Sequence, residues 1–209
     1  GAHVLRLVKA GDVGEDPEVV GDYLCWACGA GLDLPVIRGL AEKCREPRIN
    51  NAAWFAAAGG HADVLDLLVS EFGARIGLVC LTNAAMRGHD AMIDHLVEEY
   101  GVDPNEAAHE DNGWTALHWA AMYGRVRTVK HLVEKHNVDI HTSHLPTALD
   151  KAEENGHTEC AAYLHELTYT QLLAGECCGD TQVTLFLSAA RRGDDAMIDL
   201  LVERYGVDP

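Results

Sequence analysis

Positive charge is what this chain has least of. Lys and Arg together number 16 against 33 Asp and Glu, a net charge of −17 at pH 7. Nucleic acid and anionic membrane surfaces both select for Lys and Arg, so neither is expected as a partner. A basic or amphipathic peptide ligand, drawn in by long-range attraction, is compatible with the charge, although an acidic helical surface also serves solubility alone. Long apolar runs are missing too. None approaches the ~18 residues of a membrane span, and no membrane insertion is expected. The N-terminus shows no charged region followed by an apolar core, so no signal peptide is expected. There is no Gly-rich phosphate cradle, no nucleophile elbow and no carboxylate pair in a defined pocket. Asp103-Pro-Asn105 and Glu110-Asp-Asn-Gly113 carry oxygen ligands, but not at the spacing of a calcium loop. No enzymatic activity, cofactor or resident metal is expected.

The seven cysteines are an odd number, and nothing else suggests a small disulfide scaffold. Cys28, Cys80 and Cys160 stand where a buried alanine or valine would serve, and free buried cysteine behaves as a small hydrophobe. A reducing, intracellular and cytoplasmic setting follows. Cys25-Trp-Ala-Cys28 is the one C-x-x-C pair, which leaves a thiol-redox or zinc-binding protein as the alternative of another class. Zinc would want a second pair, and Cys177-Cys178 lacks the spacing. Of the twelve histidines, His136, His141 and His144 cluster where polar loop residues are expected.

What is present, and repeats, is a short pattern ending in glycine. Gly113-Trp-Thr-Ala-Leu-His-Trp-Ala-Ala-Met-Tyr-Gly124 is its fullest copy. An Ala-rich segment closing on a glycine recurs at Gly60, Gly88, Gly124, Gly156 and Gly193, at intervals of 28, 36, 32 and 37 residues. A more degenerate copy lies at Leu24–Gly31. The segment after each glycine repeats as well. Ala91–Pro104 nearly equals Ala196–Pro209, and Val64–Val69 and Val129–Val133 fill the same slot. Met92, Ile93, Leu96 and Val97 fall at i, i+1, i+4 and i+5, one face of a helix.

The copy at 113–124 resembles the ankyrin repeat pattern Gly-x-Thr-Pro-Leu-His-x-Ala-Ala-x-x-Gly, and the recurrence near a period of about 33 strengthens the resemblance. The hydrophobic content of 48% and aromatic content of 6% suit such an Ala-, Leu- and Val-rich helical array. The fold this implies is all-α, a solenoid of about six stacked helix-turn-helix units with short hairpin-like loops. In each unit the alanine pair keeps the first helix thin so that neighbours approach. The glycine ends that helix in a left-handed conformation. The larger apolar residues of the second helix bury against the next unit. Thr115 and Thr147 sit where an N-cap hydroxyl is wanted. The resemblance implies a structural hydrogen-bonding role for His118, and likewise for His61, His89 and His157, which follow the anchor glycines.

Residues 1–20 are expected to be an N-terminal cap or linker. Residues 21–167 hold repeats one to five, the most regular at 111–143, with an acidic finger within Tyr100–Asn112. An irregular connection is expected at 168–180, followed by a sixth repeat at 181–209. That last repeat lacks a polar outer face, which suggests a continuation beyond the fragment or a covering partner.

The resemblance further implies non-enzymatic binding of a protein or peptide on the concave face. The alternatives are a recruitment module of a larger multidomain effector or enzyme, and a purely structural spacer. The variable positions transfer to Met122 and Tyr123 before Gly124, to Arg87 before Gly88, and to Arg191 and Arg192 before Gly193. The slot two places after the motif leucine holds Trp26, Phe55, Asn83, Trp119, Lys151 and Ser188, and the hairpin tip holds Trp114 in the fourth repeat and Pro146 in the fifth. Trp114, Trp119, Met122, Tyr123, Trp26, Phe55 and Arg87 are the candidate partner-binding residues. Hot spots favour Trp, Tyr and Arg, and Met suits adaptable surfaces. The competing reading packs Trp119, Phe55 and Trp26 between adjacent first helices and leaves Trp114 and Tyr123 as the exposed members.

Overall fold

Alanine pairs and the glycines that follow them set the architecture. In the computed structural model, which describes residues 16–107, 113–140, 146–174 and 179–206, the regular elements are helices, twelve among the described residues. They are α1 (Pro17–Gly29), α2 (Leu34–Ala41), α3 (Glu46–Gly59), α4 (Ala62–Phe72), α5 (Leu78–Arg87), α6 (Asp90–Glu98), α7 (Ala116–Met122), α8 (Val126–His136), α9 (Ala148–Glu154), α10 (Thr158–Ala174), α11 (Gly179–Arg192) and α12 (Asp195–Tyr205). Consecutive helices pair, and the pairs fall into two compact units, residues 1–103 and 104–209. This is the all-α repeat architecture expected of the sequence.

In the first unit α1, α3 and α5 lie side by side, and α2 packs on α4. Close approach of the first helices requires small residues between them. Ala52, Ala53, Ala56, Ala57, Ala84 and Ala85 supply these and are fully buried. The second helices carry the bulk: Val64, Leu65 and Leu68 on α4, and Met92, Ile93 and Leu96 on α6, are all inaccessible to solvent or nearly so. In the second unit α7 packs on α9, α8 on α10 and α11 on α12. Ala120, Ala121 and Leu117 of α7 and Val129 and Leu132 of α8 are wholly buried.

The expected caps form. The Thr115 N–H donates to His118 Nδ1 at 3.2 Å, and the Thr115 hydroxyl lies 3.0 Å from the same nitrogen. His118 is fully buried in this role. In α9 the box is Thr147 with Asp150: the Thr147 N–H donates to Asp150 Oδ2 at 2.9 Å, and the Asp150 N–H donates to Thr147 Oγ1 at 3.2 Å.

The anchor glycines meet two demands rather than one. Gly60 and Gly124 are left-handed, with φ of 76° and 63°. A Cβ at Gly60 would also lie 2.8 Å from His89 Nδ1, and one at Gly124 would lie 2.5 Å from His157 Nδ1. Each histidine ring crosses the preceding pair's glycine to reach a carbonyl there: His89 Nε2 lies 3.0 Å from the Ala58 oxygen, and His157 Nε2 lies 2.9 Å from that of Met122. The structural role expected of these histidines is therefore a clip between successive pairs. The His61 ring sits over Gly31 in the same way.

One stretch differs from expectation. The connection placed at 168–180 is helical through Ala174 and again from Gly179. Thr168 and Leu172 prolong the buried face of α10, and Leu172 enters the core of the last pair with Leu185, Ala189, Met197 and Leu201. Burial of that face outweighs the polar composition around it. Residues 108–112 of the acidic finger, His141, His144, Cys177, Cys178 and the first fifteen residues lie outside the described parts of the chain.

Candidate functional site

The seven candidate residues gather in two places, one in each unit. The first is built on pair four. Trp114 precedes the Thr115 cap, while Trp119 and Tyr123 stand one turn apart on α7 and at its end. That i, i+4 spacing brings side chains onto one face. The Trp119 and Tyr123 rings stack with centroids 6.4 Å apart, and the Trp114 ring meets Trp119 edge-on at 5.1 Å. Lys151 of α9 places Nζ 5.0 Å over the Trp114 ring, a cation–π contact. The same ammonium pairs with Glu154 at 2.6 Å.

Exposure is distributed differently from the sequence reading. Tyr123 is 42% exposed, as expected. Trp114 is half-buried instead, because Trp119, the His118 ring and Lys151 surround it. The indole N–H groups of Trp114 and Trp119 are buried without a hydrogen-bond partner among the described residues. Met122 is half-buried, and its carbonyl is already used by His157.

The second place is a groove of about 600 Å³ in the first unit. Asp22, Cys25, Trp26 and Gly29 line it from α1, spaced i, i+3, i+4 and i+7, one helix face. Arg48, Asn51, Phe55 and Ala58 face them from α3, and Arg87 closes one end from α5. Trp26, Phe55 and Arg87 thus come together although they are 61 residues apart in sequence at the extremes (87 − 26). Phe55 is 49% exposed and its covered side lies against Gly29 of α1; Trp26 is half-buried there. Arg48 Nη1 donates to Asp22 Oδ1 at 3.1 Å. Arg48, Asn51 and Asp22 were not singled out from sequence. The signal was the repeated face spacing 48, 51, 55 and 58, which is visible only once α3 is known to begin at Glu46.

Two candidate sets do other work. Arg192 is not a free surface cation. It donates to Asp150 Oδ1 at 2.8 Å, also contacts Ser188, and approaches Glu153 at 3.3 Å. The Ser188 hydroxyl donates to the same carboxylate at 2.5 Å. Burial pushes the Asp150 carboxyl up, but the hydrogen bonds from Ser188, Thr147 and Arg192 outweigh it and hold the group below its ordinary range. The Cys25 and Cys28 thiols are both buried on α1 and free. Burial pushes Cys25 up and Cys28 far up, which opposes the thiolate that metal binding or exchange needs.

Among the described residues no helix is long and apolar enough to cross a membrane. A family model described as ankyrin repeats, in three copies, matches residues 81–172. No curated protein matches the chain.

Proposed function

Residues 81–172 are ankyrin repeats, and from that premise we propose that the chain is a non-enzymatic module that binds a protein or peptide through Trp114, Trp119, Met122 and Tyr123, with Trp26, Phe55 and Arg87 as a second contact region. Ankyrin repeats are generally protein–protein interaction modules. The observation that carries the assignment of residues is the contiguous ring surface Trp114–Trp119–Tyr123, with Tyr123 open to solvent. Rigid aromatic side chains contribute contact area at small entropic cost, which is why they dominate hot spots. The partner is an amphipathic segment, apolar where it meets the rings. The net charge of −17 argues against nucleic acid in that place. An intracellular, cytoplasmic setting goes with this reading, since Cys25, Cys28, Cys44, Cys80 and Cys160 are free thiols.

Affinity capture from source extract tests it, with a Trp114→Ala/Tyr123→Ala double variant as control. The double variant is expected to lose affinity by ~2 kcal/mol or more while keeping its helical circular-dichroism signal. Undiminished capture by a folded double variant overturns the placement.

A further inference from the structure

The groove of the first unit has a charge that the chain as a whole does not. Its lining carries two guanidinium groups, Arg48 and Arg87, against one carboxylate, Asp22, on a chain of net charge −17. The two cations are not equivalent. Arg48 is committed to Asp22 at 3.1 Å, so that end is close to neutral. Arg87 is exposed, and among the described residues no ion pair or hydrogen bond occupies its guanidinium. Between the two ends lie the faces of Trp26 and Phe55, with Phe55 half open to solvent. The groove is therefore polarised: a neutral pair, an aromatic middle and an unspent positive end.

Its floor is fixed rather than adaptable. A Cβ at Gly59 would fall 2.5 Å from the Gly29 carbonyl oxygen, so the α1 and α3 backbones already touch beneath the groove. Asp22 and Gly29 are seven positions apart on one helix, which sets the groove length near ~10 Å at about 1.5 Å per residue. An extended peptide covers that in about three residues at ~3.3 Å each. α3 and α5 pack side by side, and Arg87 precedes Gly88 as Gly59 precedes Gly60, which puts Arg87 toward the Gly29–Gly59 end of the lining; the shortest extended segment that presents two side chains on one face carries them two residues apart.

We propose that this groove binds an extended peptide segment with an apolar side chain between Trp26 and Phe55 and an acidic side chain about two positions away, paired with Arg87. This rests on the reading of the chain as a protein-binding module and names what one part of it selects. It also opposes what overall charge suggests, because the local field at a half-enclosed site is set by the nearest unscreened charge, not by the sum over the surface.

Fluorescence polarisation on the full chain tests the proposal with labelled peptides of about nine residues, Gly/Ser-flanked and built on Glu-x-Phe, Gln-x-Phe, Lys-x-Phe and Glu-x-Gly. The Glu-x-Phe peptide is expected to bind about tenfold more tightly than Gln-x-Phe, the scale of one charge-assisted contact. Lys-x-Phe and Glu-x-Gly should bind more weakly than Glu-x-Phe. Arg87→Glu should invert the order of the Glu and Lys peptides, and Arg87→Gln should abolish it; because Arg87 stands in the last turn of α5, where a cation favours the helix dipole, circular dichroism checks that both variants stay folded. Phe55→Ser should weaken every Phe peptide. Equal binding of Glu-x-Phe and Gln-x-Phe overturns the proposal, as does a charge order unchanged in Arg87→Glu. Failure of all four peptides to bind the wild type also overturns the groove, and leaves the pair-four surface to stand or fall on its own capture experiment.

Discussion

Arg192 of α11 reaches back to Asp150 of α9 and donates to its Oδ1 at 2.8 Å, with the Asp150 side chain 2% and the Arg192 side chain 10% exposed. Asp150 fills the slot that His118 fills in the preceding pair, and it caps its own helix with the other carboxylate oxygen. One carboxylate therefore closes a helix and ties two pairs together. Glu153 occupies the position of the second alanine, and the same guanidinium approaches its carboxylate at 3.3 Å.

Removing one partner of that pair should be costly. Arg192→Met leaves Asp150 buried with its charge uncompensated, and a loss on the order of 3 kcal/mol is expected in urea unfolding. Asp150→Leu combined with Arg192→Met should be milder than either single change, since no buried charge remains. A double variant as unstable as the sum of the singles would show that the network is not coupled.

The same carboxylate predicts an acid limb in stability. Its folded pKa lies below the ordinary Asp value. Its contribution is thus complete above the unfolded value of about 3.9 and disappears as pH falls through the lower folded value. Melting curves between about pH 7 and pH 3 should show Asp150→Asn with a smaller acid-side fall in Tm than the wild type. Parallel falls in the two proteins would remove Asp150 from the account.

Alanine in place of the positive-φ glycines separates backbone strain from ring clash. Gly73 and Gly124 have φ of 69° and 63°, but a Cβ at Gly73 meets nothing within 4 Å, whereas one at Gly124 runs into His157. Gly73→Ala should cost ~1 kcal/mol, the penalty of a left-handed alanine. Gly124→Ala should cost distinctly more, and His157→Ala should recover part of the difference. Equal costs at the two glycines would mean that the ring yields freely.

Thiol labelling should follow burial. Cys28, Cys80 and Cys160 are wholly buried, and burial pushes Cys80 and Cys160 up to about 11. Iodoacetamide at neutral pH, mapped by mass spectrometry, should modify half-buried Cys44 well before these three. Early modification of Cys28 would reopen a reactive role for the C-x-x-C pair.

Much of this was legible in the residues. The alanine pairs, the glycine punctuation and the 3.6-residue apolar face each follow from local chemistry, so helices, their ends and their pairing could be read from spacing. His118 and Thr115 were placed correctly because the cap is a contact between neighbours three residues apart. The site was less legible. Trp114 read as exposed because a hairpin tip is ordinarily open, yet Lys151, 37 positions onward (151 − 114), covers it. Arg192 falls at a variable position before its anchor glycine, yet Asp150, 42 positions earlier, accepts from its guanidinium.

The sequence by itself determined a repeating helical hairpin: period, thin first helix, glycine stop and apolar second helix are properties of short segments and need no partner to be recognised. Only the tertiary structure decided which polar residues are spent and which are available. Arg87 and Arg192 stand in the same slot before an anchor glycine, although Arg192 has Ser188 and Asp194 of its own repeat beside it. A carboxylate from the preceding pair occupies Arg192, while Arg87 is left facing an aromatic groove. That difference arises from what stacking brings opposite each side chain, a long-range property that local pattern cannot contain.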